Sequence, residues 1–254
     1  MNYKMIVQYD GTRYDGWQRQ GNTSNTIQGK LEAVLSRMDG EPCEVIGSGR
    51  TDAGVHSYGQ AANVHLKREW SASEILEYVN RYLPEDIEVT EVTPAEERFH
   101  ARLHAVKKTY CYQIGIGSSK HVFQRKYCYH TEEPLQVEEM QKAAQALVGT
   151  HDFQSFCSSK RSKKSTVRTI YEARVELDEE SRMVRCIFTA DGFLYNMVRI
   201  LTGTLMEVGQ GKRKAYEMEH ILEARDRQAA GMTAPAQGLI LVNVEYPQKE
   251  GTRR

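Results

Sequence analysis

The segment Gly47-Ser48-Gly49-Arg50-Thr51-Asp52-Ala53-Gly54-Val55-His56 concentrates residue types that chemistry on a bound ligand requires. Its three glycines permit tight backbone angles and close approach of a ligand to the main chain. A carboxylate there can serve as a nucleophile, and an aspartate with an ordinary pKa of about 3.9 is ionised at neutral pH. Arg50, two residues before Asp52, supplies a cation able to neutralise a phosphate. A dinucleotide-binding glycine loop does not fit. In G-x-G-x-x-G spacing the third glycine would fall at 52, which is aspartate, and the residues that follow read as strand rather than helix. No lysine follows as in a nucleoside-triphosphate loop. The plain alternative is that an aspartate near glycine makes a turn, and pattern alone does not remove it.

Arg199 draws notice through its surroundings. It is the only charged residue of 192–206, among Phe193, Leu194, Met197, Val198, Ile200, Leu201 and Leu205. A buried arginine needs a partner, because an unpaired buried charge is costly; otherwise its long stem must reach water. Residues 158–168 carry Lys160, Arg161, Lys163, Lys164 and Arg168 with no acid among them. A charge run is ordinarily a solvated face. The competing reading is contact with a phosphate backbone, which would position a nucleic acid and make its binding salt-dependent. Arg13, Arg19, Lys107 and Lys108 are candidates to extend that footprint.

Bulk charge does not help, since basic and acidic residues each number 34. A nucleic-acid enzyme with this balance must gather its positive charge on one face. The five cysteines, Cys43, Cys111, Cys128, Cys157 and Cys186, are odd in number and never spaced C-x-x-C, which supports neither a disulfide framework nor a zinc site. The histidines form no H-x-x-x-H pair with an accompanying acid, so no metal site is expected, and His56 reads as support for its loop.

The elements that must position these residues alternate between strand and helix. Residues 4–9 read as a strand closed by Asp10-Gly11, and Ile27, Leu31, Val34, Leu35 and Met38 follow helical spacing. Strands are expected at 43–46, 58–66 and 87–92, with a helix opened by the capping-box pattern Ser71-Ala72-Ser73-Glu74. The second half repeats the alternation: strands at 109–116, 167–177, 183–190 and 238–244, helices at 137–148, 193–208 and 215–224. Two α+β halves result, 1–104 and 105–254, with no low-complexity linker between them. No apolar run approaches the roughly 18 residues of a membrane span, and the N-terminus has no leader pattern, so a cytoplasmic protein is expected.

Gly49-Arg50-Thr51-Asp52-Ala53-Gly54-Val55-His56, followed by Gln60, resembles the catalytic motif of the tRNA pseudouridine synthase TruA family. Five further blocks do so in family order: Tyr9-Asp10-Gly11 with Gly16-Trp17-Gln18-Arg19-Gln20; Phe99-His100-Ala101-Arg102; Tyr110-Cys111-Tyr112; Met197-Val198-Arg199 with Gly203 and Met206-Glu207-Val208-Gly209; and Pro235-Ala236 with Gly238-Leu239. Together they span residues 3–246.

The resemblance implies two ferredoxin-like (RRM-like) halves forming a mixed sheet with a central cleft, and a homodimer that holds tRNA. It implies isomerisation of uridine to pseudouridine at positions 38–40 of the anticodon arm, without a cofactor. Asp52 is then the catalytic carboxylate, acting at uracil C6 or at the ribose C1′ side. Arg50 enters the space of the flipped base, Arg199 orients Asp52, and Tyr110 contacts the uracil. Tyr112 shares the strand face of Tyr110 and is the nearest alternative. Ser57 and Tyr58 depart from the family pattern, where smaller residues are often seen. Two other functions compete. A non-catalytic RRM-type module lacks the paired-aromatic RNP1 pattern, and a metal-dependent hydrolase centred on Asp52 lacks a second carboxylate or histidine cluster.

Overall fold

The computed structural model describes residues 1–158 and 165–247. Lys160, Arg161, Lys163 and Lys164 therefore lie outside the described residues. In chain order the main elements are β1 (Asn2–Tyr9), α1 (Ile27–Asp39), β2 (Val45–Gly47), β3 (His56–His65), α2 (Ala72–Tyr82), β4 (Ile87–Ala95), β5 (Lys107–Ile116), β6 (Tyr129–Thr131), α3 (Val137–Gln145), β7 (Gly149–Asp152), β8 (Val167–Asp178), β9 (Met183–Ala190), α4 (Met197–Gly209), α5 (Glu217–Ala224) and β10 (Leu239–Glu245). The described residues pack as two compact units, 1–108 with 241–247, and 109–240. A sequence split at 104/105 leaves the closing strand with the second half, whereas most of β10 packs with the first unit.

In the first unit β1 lies between β3 and β4, antiparallel to both, and β2 adds to β3. The order β4-β1-β3 with β2 beyond, and the sequence β-α-β-β-α-β, is the ferredoxin-like arrangement. Alternation along β1 sends Tyr3, Met5, Val7 and Tyr9 into a core shared with Ile27, Leu31 and Leu35 of α1 and Ile75 and Val79 of α2. Thr26 caps α1 by accepting the Gly29 N–H, and left-handed Gly40 ends it. The expected capping box at Ser71 and Glu74 opens α2.

In the second unit the order is β5-β9-β8-β7, with β8 and β9 an antiparallel hairpin and β6 parallel to β5. The parallel pair makes the sheet mixed, and the α+β class read from the sequence holds. Here β6 and β7 were not legible. They are three and four residues long, and Gly149-Thr150-His151-Asp152 carries no apolar alternation. The expected start of α4 at 193 is also displaced. Asn196 adopts φ +61°, a left-handed conformation that no α-helix continues through, so the helix begins at Met197. Among the described residues no helix is long and apolar enough to cross a membrane. Burial pushes the Cys111 thiol up to about 11 and that of Cys186 higher still. Cys186 is a buried core group and Cys111 a partly buried one, and neither is placed as a nucleophile.

Candidate active site

The loop between β2 and β3 is built in the first unit from its backbone outward. Ser48 N–H donates to the Ala61 carbonyl at 2.8 Å, and its hydroxyl donates to Gln60 Oε1 at 2.6 Å. The Gln60 amide then donates to the Gly49 carbonyl at 2.9 Å. Ser48 and Gln60 are fully buried, so the bond between their side chains has no competition from water. Lys108 Nζ donates to the Ser48 carbonyl at 2.7 Å. Thr51 is clamped on both sides: its carbonyl accepts the Trp17 N–H at 3.0 Å, and its hydroxyl pairs with the Tyr9 phenol at 2.8 Å. Asp52, partly exposed, sits one residue beyond that clamp, and its carbonyl accepts the Val55 N–H to close a turn. The turn reading of this aspartate thus describes its backbone.

Gly16 makes this packing possible. It has φ +93°, and a Cβ there would lie 2.7 Å from the Thr51 carbonyl oxygen. Only glycine accommodates both the angle and the approach. Buried His56 closes the far end, with Nδ1 accepting the Gly11 N–H at 3.1 Å. Asp10 Oδ1 stands 3.2 Å from the same nitrogen. The expected supporting role of His56 accords with this geometry.

Arg50 is exposed at the loop's outer side, and its Nε donates to Gln18 Oε1 at 3.0 Å. Gln18 donates to Gln28 at 2.7 Å, and Gln28 donates to Glu32 at 2.9 Å, forming a ladder of side chains that ends in α1. Glu32 also accepts the Val45 N–H at 3.1 Å, and Arg19 lies 3.1 Å from its other oxygen. The sequence reading missed Gln18, Gln28, Glu32, Trp17 and Gln60 as supports. Gln28 and Glu32 are one helical turn apart, which is a signal, but polar pairs with that spacing are more often on a solvated face.

In the second unit Tyr110 is buried on β5 with its ring edge-to-face against Phe193, centroids 5.2 Å apart. Tyr112, two residues on, is fully buried, and its hydroxyl donates to the Pro235 carbonyl at 2.7 Å. Burial raises its phenol pKa well above the ordinary range. Tyr112 is a structural tyrosine, which favours Tyr110 of the two for substrate contact. Arg199 is half-buried at the start of α4. Its Nε donates to the Ala234 carbonyl at 2.7 Å and its Nη1 to Asn196 Oδ1 at 2.9 Å. Asn196 in turn donates to the Ser158 hydroxyl at 3.2 Å. Neighbouring carbonyls at 234 and 235 therefore receive α4 and β5, and this chain segment fixes both elements within the unit.

The footprint candidates divide. Arg13 binds Asp86 at 2.6 Å, Arg19 faces Glu32, and Lys108 supports the Asp52 loop. Arg168, second residue of β8, donates to the carbonyls of Ser165 just before the strand and of Val167.

A family model described as tRNA pseudouridine synthase matches residues 5–103 and 143–247. Among relatives, the tRNA pseudouridine synthase A of Bacillus sp. (strain KSM-64) is 50% identical over 245 residues, which cover 96% of this chain and 99% of that one. That of Geobacillus sp. (strain WCH70) is 46% identical over 96% and 97% of the two chains. That of Thermoanaerobacter sp. (strain X514) is 44% identical over 96% and 99%. The chain belongs to the tRNA pseudouridine synthases, isomerases that convert uridine to pseudouridine in tRNA.

Proposed function

We propose that this enzyme isomerises uridines 38, 39 and 40 of the tRNA anticodon stem-loop, with Asp52 as the acting carboxylate and no cofactor. The reaction breaks the N1–C1′ bond, turns the uracil, and joins C5 to C1′; C5 loses a proton and N1 ends with one. No atom has to come from outside, so the demand on the protein is to extrude, hold and reorient a base. Arg50, exposed beside Asp52, enters the space the base leaves. Tyr110 stacks on the uracil and its phenol helps remove the C5 proton. Arg199 orients the Asp52 carboxylate, and Arg168 with Lys160, Arg161, Lys163 and Lys164 contacts the tRNA backbone. The working form is a cytoplasmic homodimer that holds the tRNA jointly.

The observation that carries this reading is the doubly clamped Thr51, which presents Asp52 from a loop whose neighbouring polar groups are already satisfied. Such pre-organisation suits a group that must meet one atom of a flipped base. The test uses tRNA tritiated at uridine C5. Wild type is expected to release tritium, Asp52→Asn to release none, and tRNA with cytidine at 38–40 to yield none with either. Equal release by Asp52→Asn, or release from the cytidine tRNA, would overturn the assignment.

A further inference from the structure

In the second unit the turn between β5 and β6 has no part in the site described above. Residues 117–131 contain Lys120, Arg125 and Lys126 and no acid. The side chain of Phe123 is 89% exposed and that of Val122 56%. Solitary apolar side chains on a surface are unremarkable, but a nearly fully exposed phenylalanine among three cations is a combination suited to a polyanion with flat rings.

The turn is also held in shape. His121 is buried with φ +43°, and its ring fills the space a Cβ at Gly115 would need, at 2.6 Å. His121 thus acts as a plug that pins the turn to β5. The Gln124 N–H donates to the His121 carbonyl at 2.9 Å, and the Tyr127 N–H to that of Gln124 at 2.7 Å. The Arg125 guanidinium closes on the Val122 carbonyl. Farther along, Gln113 donates to the Tyr127 carbonyl and Gln237 to that of Cys128. Bonds within the turn, with those from Gln113 and Gln237 at its far end, fix the backbone that carries the exposed Phe123. A backbone held in this way need not be ordered again when a base stacks on the ring it carries.

We infer that this turn is a second RNA-contact surface, on which an unpaired base of the tRNA stacks against Phe123 while Lys120, Arg125 and Lys126 lie along adjoining phosphates. Charge complementarity selects the occupant: the substrate is a polyanion, and the turn is wholly basic. The inference rests on tRNA being the substrate and is independent of which uridine reacts.

Binding of full-length tRNA by filter retention, over a series of salt concentrations, is measured beside tritium release. Phe123→Ser is expected to weaken binding and raise KM by roughly ten-fold with kcat unchanged, and Phe123→Trp to restore both. Lys120→Gln, Arg125→Gln and Lys126→Gln together are expected to lower the slope of log affinity against log salt by about two to three. Unchanged binding by Phe123→Ser, or failure of Phe123→Trp to restore it, would overturn the inference. So would a lower oligomeric mass of Phe123→Ser with tRNA affinity intact, which would make the turn a contact between protein subunits. Because binding is read separately, a wild type that binds tRNA but releases no tritium would count against the isomerase reading and leave this one standing.

Discussion

The loop that carries Asp52 and the helix start that carries Arg199 are fixed by different means. Around Asp52 the main chain is held: the carbonyls of Ser48, Gly49 and Thr51 each accept a bond, and Gly16 lets another stretch of backbone lie against Thr51. Around Arg199 the side chains are the fasteners, with Asn196 joining the guanidinium to Ser158 and the Ala234 carbonyl taking Nε. A loop held through several backbone bonds should tolerate loss of one support better than insertion of a single carbon. The link from Arg199 to Ser158 runs through the single amide of Asn196 and should fail when that amide is cut away, with the bonds to Ala234 left in place. Substitutions of the two kinds, made in both places, separate these modes.

The largest effect is expected for Gly16→Ala. The new Cβ would meet the Thr51 carbonyl oxygen at 2.7 Å on a backbone at φ +93° that alanine disfavours. The loop must move, and a displacement of about 1 Å near the chemistry costs about 100-fold. Tritium-release kcat is expected to fall by that order while circular dichroism still reports a folded chain. A kcat within three-fold of wild type would show that the loop is not held against residue 16.

Next comes Gln60→Leu, which removes the acceptor of the Ser48 hydroxyl and the donor to the Gly49 carbonyl. Leaving buried polar groups unpaired costs about 1–3 kcal/mol each, so a clear drop in melting temperature is expected. With Lys108 and Trp17 still holding the loop, kcat should fall only about ten-fold, less than for Gly16→Ala. The reverse order of the two variants would remove the distinction drawn above.

Asn196→Ala probes the other mode. It takes away one charge-assisted hydrogen bond to Arg199, worth about 1.5–3 kcal/mol, and leaves alanine in a left-handed conformation. Asn196→Gly accommodates the backbone and loses only the amide, so the pair separates backbone from side chain. Both variants are expected to lower kcat/KM by roughly ten-fold or more. In an Arg199→Leu background, Asn196→Gly should have little further effect, because the two would act as one unit. Additive losses in that cycle would mean that Asn196 does not act through Arg199.

Sequence pattern drew notice to the loop through its glycines beside arginine and aspartate, though a plain turn fitted equally until the family resemblance was added, and it drew notice to Arg199 because an isolated charge in an apolar helix is conspicuous. It could not show how either is held. Gln60 looks like any strand residue, and Gln28 and Glu32 look like a solvated helix face, because burial of a polar pair depends on what folds over it. The start of α4 was misplaced for a similar reason: Phe193 and Leu194 continue the apolar pattern, while the break is a conformation at Asn196 that side-chain type does not announce. The Tyr110 and Tyr112 alternation marked one buried face, yet only the bond to Pro235 separates the structural tyrosine from its neighbour.

The smallest effect is a control placed away from both fasteners. Ser71 caps α2: its hydroxyl oxygen accepts the Glu74 N–H at 3.2 Å while the Glu74 carboxylate takes the Ser71 N–H at 2.8 Å. Ser71→Ala should cost about 1 kcal/mol of stability at pH 7, a typical N-cap loss, and leave tritium-release kcat unchanged. The bonds from the Ser71 hydroxyl and N–H hold the Glu74 carboxyl below the usual carboxylate range. A group depressed in the folded state contributes fully above its unfolded pKa of about 4.3 and loses the contribution as pH falls through the folded value. Denaturant titrations of wild type and Ser71→Ala should therefore differ most above pH 5 and converge toward pH 3. A gap that stayed constant over that range would mean the hydroxyl acts on the Glu74 N–H alone. A fall in kcat at pH 7 would mean that α2 also helps hold the Asp52 loop, and the contrast between backbone and side-chain fastening would have to include it.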